Sequence, residues 1–312
     1  MRRNSHSDGQ ADPSGASRES DLFAPAFDVL EPKALTSPLV FSSPHSGHHY
    51  PAAFLSLSRL DALTLRRSED AYVDDLFKAA LTYGAPLLRA RFPRAWLDVN
   101  REPFELDPRM FDGRLPPFAN TRSIRVAGGL GTIARVVGDG QEIYAGRLPV
   151  ADALERVETL YKPYHAALLG LLTRAHDHFG LAVLLDCHSM PSTASKVASA
   201  ADSVMADIVL GDRHGASCAP WLIDIAENYI AGLGYCVRRN KPYAGGFITE
   251  TYGNPTVGWH ALQIEINRAL YMDEKTMERS PIYPRLRHDL CGLVKTLSEA
   301  AALSPDQRAA AE

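Results

Sequence analysis

Residues 150–185 constrain this chain most. Leu154, Val157, Leu160, Tyr161, Tyr164, Leu168, Leu171 and Leu172 recur at helical spacing, and Gly180 ends the run. Pro163 inside the run predicts a kink or a split, because it lacks the N–H that the helix needs. Residues 181–185 then form an unbroken apolar strand. A strand with no polar alternation has no solvent face and needs cover on both sides. A long amphipathic helix feeding such a strand points to α/β architecture.

The same alternation runs through the rest of the chain. Leu39-Val40-Phe41 reads as a buried strand. A helix is expected after Ser68 as N-cap, with Glu69 and Asp70 in its first turn. Val73, Leu76, Phe77, Ala80 and Leu81 form its stripe, and Gly84 its stop. Strands are expected near 86–91, 95–99 and 235–238, and helices near 221–231 and within 284–302. Gly245-Gly246 reads as a turn. In 261–266, Leu262, Ile264 and Ile266 face one way and Gln263 and Glu265 the other, the pattern of a half-buried strand. Residues 101–147 have little periodicity and read as a functional loop region or small subdomain. The expected fold is a single three-layer α/β domain, with a mixed, mostly parallel central sheet and helices on both faces. It spans 21–304, between a disordered tail at 1–20 and a short tail at 305–312.

Composition excludes several function classes. The net charge of −4 leaves no electrostatic footprint for nucleic acid or an anionic membrane. No apolar run reaches the length of a membrane span, and the N-terminus has no apolar signal region. Cys187, Cys218, Cys236 and Cys291 lie far apart, with neither a zinc-ribbon nor a redox-dithiol spacing. A cytoplasmic protein without nucleic-acid or membrane partners is expected.

The chemistry should sit where strands end. His45 and His188 each follow a predicted buried strand, and neutral imidazole is a common zinc ligand. A hydrolytic zinc site needs a third ligand; Asp70 is the candidate, with Glu69 and His48 competing. Glu265, on the polar face of its strand, suits a general base. Asn100-Arg101 offers an amide and a guanidinium fork for a carboxylate. Cys187 should point to the opposite face from His188 and be inert. Ser189 lacks a nucleophile-elbow motif, and Gly128-Gly129-Leu130-Gly131 lacks a nucleotide-loop context. Tyr161-Lys162-Pro163-Tyr164-His165 reads as helix packing.

Five segments in order carry a resemblance. They are Pro44-His45-Ser46-Gly47, Asp98-Val99-Asn100-Arg101, Tyr161-x-Pro-Tyr164-His165, Asp186-x-His188-Ser189, and Gln263-Ile264-Glu265-Ile266-Asn267-Arg268-x-Leu270-Tyr271. Over roughly 41–273 the chain resembles the N-formylglutamate amidohydrolase family, itself distantly similar to zinc carboxypeptidases. The resemblance implies a phosphorylase/hydrolase-like, zinc-carboxypeptidase-like fold. It also implies His45 and His188 as metal ligands, Glu265 as general base, and Asn100 and Arg101 as the carboxylate grip. His48 stands where the carboxypeptidases carry a glutamate ligand, which makes Asp70 the favoured third ligand. The implied reaction is zinc-dependent hydrolysis of N-formyl-L-glutamate to formate and L-glutamate, of the histidine-degradation type. Arg122, Arg125 or Lys241 would meet a side-chain carboxylate. A carboxypeptidase-like peptidase and a non-catalytic N-acyl amino acid binding protein are the alternatives. Oligomeric state is left open.

Overall fold

A computed structural model describes residues 22–194 and 205–303; the tails expected at 1–20 and 305–312 lie outside the described residues. In chain order the strands are β1 Phe27–Leu30, β2 Leu39–Ser43, β3 Leu87–Ala90, β4 Phe111–Asp112, β5 Leu148–Pro149, β6 Ala182–Met190, β7 Ile208–Gly211, β8 Val237–Arg239 and β9 Trp259–Asn267. The α-helices are α1 Ala52–Leu57, α2 Ala62–Arg66, α3 Val73–Leu76, α4 Ile124–Ala127, α5 Val150–Arg156, α6 Lys162–Phe179, α7 Pro220–Gly232, α8 Phe247–Tyr252 and α9 Tyr283–Ala301. Seven strands form one sheet in the order β1-β3-β2-β6-β9-β7-β8. The neighbours β3, β2, β6 and β9 run parallel, while β1 and β7 pair antiparallel with β3 and β9. The sheet is mixed and mostly parallel, as the sequence pattern requires.

Strand alternation divides the core in two. Leu39, Phe41, Val183, Leu185, Cys187, Leu262, Ile264 and Ile266 face a layer built from α3, α7 and α9. Val40, Ala182, Leu184 and Ala261 face α5, α6, α8 and the 92–148 region. The period of two sends neighbouring residues to opposite layers. Cys187 therefore lies in the first core, away from His188, and burial pushes its thiol well up, as expected.

Four expectations need correction. The strand expected at 95–99 is a series of turns; its apolar residues are buried because Trp96 wedges against Phe54, Phe23 and Arg156, not because a ladder holds them. Ser68 caps no helix: its hydroxyl bonds the Leu65 carbonyl at the end of α2. The helix expected from there begins only at Val73, after Tyr72 in the left-handed region, so Asp70 precedes it; a 3-10 stretch, Lys78–Tyr83, then runs to Gly84. β6 continues through Met190, so His188 lies inside the strand rather than beyond it.

The helical run at 150–179 is divided just before Pro163 into α5 and α6. It absorbs Pro163 through a π-turn, Val157–Tyr161, in which the Lys162 N–H reaches back to the Val157 carbonyl. Gly180 closes the run in the left-handed region. Among the described residues, no helix is long and apolar enough to cross a membrane.

Candidate active site

Register brings the site together. β6 and β9 pair so that Leu184, Asp186 and His188 lie beside Ala261, Gln263 and Glu265. These residues share one face of the sheet, so His188 and Glu265 are direct neighbours. β2 delivers His45 from the turn after Ser43. Gly47 sits in that turn against the backbone of Arg91 and Phe92, where no Cβ fits. The Asp70 N–H donates to the His45 carbonyl at 2.9 Å, and the Ser46 hydroxyl donates to the Asp70 carbonyl at 3.1 Å. These two bonds, rather than a helix start, bring Asp70 to His45.

Three donor atoms converge. Asp70 Oδ2 lies 3.3 Å from His45 Nδ1 and 3.1 Å from His188 Nδ1, and the two Nδ1 atoms lie 3.1 Å apart. The far side of each ring meets another acid. His45 Nε2 donates to Asp98 Oδ1 at 2.7 Å. His188 Nε2 is 3.0 Å from Asp186 Oδ1, and Asn100 Nδ2 approaches the same nitrogen at 3.2 Å. The other oxygen of Asp70 accepts from Ser189 Oγ at 3.2 Å and Arg268 Nη2 at 2.9 Å. Every one of these side chains is buried.

This donor set fits a divalent cation. A carboxylate only accepts, so the contact with Asp98 places the hydrogen of His45 on Nε2 and leaves the Nδ1 lone pair facing inward. Asp186 Oδ1, buried without a well-aligned donor, is the acceptor 3.0 Å from His188 Nε2; a hydrogen on that nitrogen would turn the second Nδ1 lone pair inward as well. Two imidazole lone pairs and a carboxylate oxygen then face one point, an arrangement that requires a positive charge between them. Acids behind the rings orient histidine ligands in this way at metal sites. His45, Asp70 and His188 form the one such group of possible metal ligands among the described residues. Of the competing ligands, Glu69 is turned away to Arg66 at 3.2 Å, and His48 is exposed, with its ring near the Ser46 carbonyl.

The electrostatics follow the geometry. Burial opposes charge on Asp70, yet hydrogen bonds from His188 and His45, with Arg268 nearby, hold its carboxyl well below the usual range. Burial opposes charge on Asp98 too, and Arg101, Arg94 and His45 outweigh it. Burial raises Glu265 to about 7. Gln263 Nε2 donates to Glu265 Oε1 at 2.9 Å, while its own carbonyl oxygen accepts from the Gly246 N–H. Glu265 is thereby aimed, and its proton affinity is matched to neutral pH.

The cations are arranged unevenly. Arg101 Nε and Nη1 are bound to the Leu130 and Asn100 carbonyls, and Nη2 stands 3.5 Å from Asp98. Burial lowers Arg101 to about 10. The Asn100 side-chain oxygen Oδ1 accepts from the Ile248 N–H at 2.8 Å, and its Nδ2 packs 3.2 Å from His188 Nε2. Arg125, half-buried on α4, acts electrostatically on Arg101, whereas Arg122 and Lys241 are exposed.

Sequence reasoning missed several neighbours. Arg94 Nε donates to Asp98 Oδ2 at 2.9 Å, and the charges of Asp70 and Glu265 also reach Arg94. Tyr243 is half-buried against Met190, Ala206 and Val209; burial raises its hydroxyl, with Glu265 adding to the shift. Asp98, Asp186 and Arg268 were missed in these roles as well. For Asp186 a signal existed: two residues before His188 on a strand means the same face. The pairings of Asp98 with His45 and of Arg268 with Asp70 span 53 and 198 residues, too far for any local pattern.

Known proteins place these features. A family model described as N-formylglutamate amidohydrolase matches residues 37–272. A protein from Pseudomonas putida named N-formylglutamate deformylase is 29% identical over 240 residues, covering 76% of this chain and 82% of the relative. A protein of the same name from Pseudomonas aeruginosa is 30% identical over 251 residues, covering 80% of this chain and 87% of the relative. The crystal structure of an N-formylglutamate amidohydrolase from Ralstonia eutropha superposes with a TM-score of 0.83 at 38% identity, covering 88% of this chain and 98% of that one. A gene product of Agrobacterium tumefaciens shares the fold, with a TM-score of 0.59 at 18% identity over 88% of this chain and 95% of that one.

Proposed function

This chain belongs to the N-formylglutamate amidohydrolase family, and from that premise we propose that it hydrolyses the amide of N-formyl-L-glutamate to formate and L-glutamate. Family membership supports the reaction, and the convergence of His45 Nδ1, His188 Nδ1 and Asp70 Oδ2 beside Glu265 supports the manner. His45, Asp70 and His188 would hold a divalent metal, for which zinc suits two imidazoles and a carboxylate. When bound, it would polarise the formyl carbonyl and make water acidic enough to lose a proton near neutral pH.

The remaining work falls to the chain. Glu265 takes the proton from water and passes it to the leaving nitrogen; without that proton the amine leaves poorly. Arg94, anchored among the described residues on Asp98 through Nε, has guanidinium N–H groups to stabilise charge developing on the formyl oxygen. Tyr243 contributes a hydroxyl from the loop before α8. Arg101 and Arg125, with Arg94 near, make a cationic wall for the two carboxylates of the substrate. Arg122 is exposed and would take part only from the rim. Asn100, whose side-chain oxygen is committed to the Ile248 N–H, packs against His188 rather than gripping the substrate. The reading is that of a cytoplasmic, histidine-degradation type enzyme acting on a small molecule.

A substrate panel tests this. N-formyl-L-glutamate should be cleaved far faster than N-formyl-L-glutamine, N-acetyl-L-glutamate or a dipeptide ending in glutamate. Equal turnover of the glutamine compound would remove the role of the cationic wall. Preferential cleavage of the dipeptide would make the protein a peptidase.

A further inference from the structure

The segment 98–101 carries Asp98, Asn100 and Arg101, yet it lies in neither helix nor strand. Its carbonyls therefore need partners that no ladder supplies. The Tyr161 hydroxyl donates to the Arg101 carbonyl at 2.6 Å, and His165 Nε2 donates to the Val99 carbonyl at 2.8 Å. The carbonyl between them, that of Asn100, is held by Arg101 itself. Tyr161 ends the π-turn and His165 stands one turn further along, with ring centroids 4.3 Å apart at 29°. On its other side His165 stacks with Tyr252 of α8 at 5.9 Å and 19°, and Nδ1 accepts from the Tyr252 hydroxyl at 2.9 Å. Burial lowers the pKa of His165, which favours the neutral ring with its hydrogen on Nε2. Tyr164, between them in sequence, ties the same helix to β2 through Ser42 at 3.0 Å.

We propose that Tyr161 and His165 are positioning residues that clamp the 98–101 segment by its Arg101 and Val99 carbonyls, fixing Asp98 behind His45 and Arg101 at the substrate wall. The proposal rests on the function proposed above for the roles of those two ends, but the clamp itself is read from side-chain-to-backbone bonds. The π-turn belongs to the device: it widens the helix where Tyr161 leaves it. Tyr161 serves the Arg101 end of the segment. His165 serves the middle, between Asp98 and Asn100, so its loss disturbs the partners of both His45 and His188.

The test uses the full-length protein and the variants Y161F, H165L and H165Q, the last keeping an N–H donor for the Val99 carbonyl. Histidine side-chain ¹⁵N–¹H spectra of the metal-free protein report the His45 Nε2–H bond to Asp98 without any turnover. H165L should shift or broaden that signal, and H165Q should restore it. Removing a hydrogen bond of this kind in Y161F should raise KM for N-formyl-L-glutamate about tenfold with kcat within about threefold. H165L should weaken zinc retention against a competing chelator by about tenfold, with H165Q close to wild type. An unchanged His45 signal in folded H165L, or an unchanged KM in folded Y161F, overturns the clamp. If H165L does not fold, Y161F and H165Q decide. If the wild type releases no formate, the proposed reaction fails while the His45 signal still judges the clamp.

Discussion

Two parts of the site are held in place by different physics. His188 and Glu265 sit on paired strands, and register alone sets them side by side. Asp98, Asn100 and Arg101 sit on a segment with no ladder, fixed by Tyr161, His165 and the Ile248 N–H. The sheet gives the reacting side rigidity that depends on backbone pairing over its whole length. The other side depends on a few single bonds, each of which one substitution can remove. Damage on the sheet side should therefore abolish function. Damage on the segment side should degrade it in graded steps.

The largest effect is expected from His188→Ala. It removes one of three donors, so metal retention and formate release should fall to background, and a variant that still turned over would break the comparison at its strong end. Glu265→Gln should follow, with metal retained and kcat down by about 10²–10⁴-fold; near-normal kcat would remove Glu265 from the reaction. Asp98→Asn lies on the segment side. It should weaken metal affinity by about 10–100-fold, as loss of an acid behind a ligand imidazole does; a complete loss of metal would show that the segment is as indispensable as the sheet. Arg125→Met should be mildest, raising KM for N-formyl-L-glutamate by about 10–100-fold, the worth of a charged hydrogen bond. Its KM for N-formyl-L-glutamine should stay unchanged, and equal changes for both compounds would take Arg125 out of side-chain recognition.

The same contrast explains what the sequence reveals. The period of two at 261–266 puts Glu265 opposite the apolar face, and the run at 181–185 leads straight to Asp186 and His188. Both statements are local, and both hold in the structure. The apolar residues at 95–99 carry the same composition as a strand, yet they are buried by Trp96 stacking under Arg156 at 3.3 Å. Burial without a ladder leaves no period to read. Asp70 precedes the helix that the pattern starts after Ser68: its N–H binds the His45 carbonyl, and Tyr72 turns the chain through a positive φ that no pattern signals. Arg94 and Asp98 look in sequence like an ordinary i, i+4 surface pair, and only the fold shows that His45 shares the acid.

Metal content measured alongside activity tests the central claim most directly. Purified protein would be stripped with a chelator, then reloaded with increasing zinc, and formate release from N-formyl-L-glutamate followed at each step. Activity should vanish in the stripped protein and return in proportion to bound zinc, saturating at about one ion per chain, as expected for one three-donor cluster. Undiminished formate release from protein shown to be metal-free would contradict it.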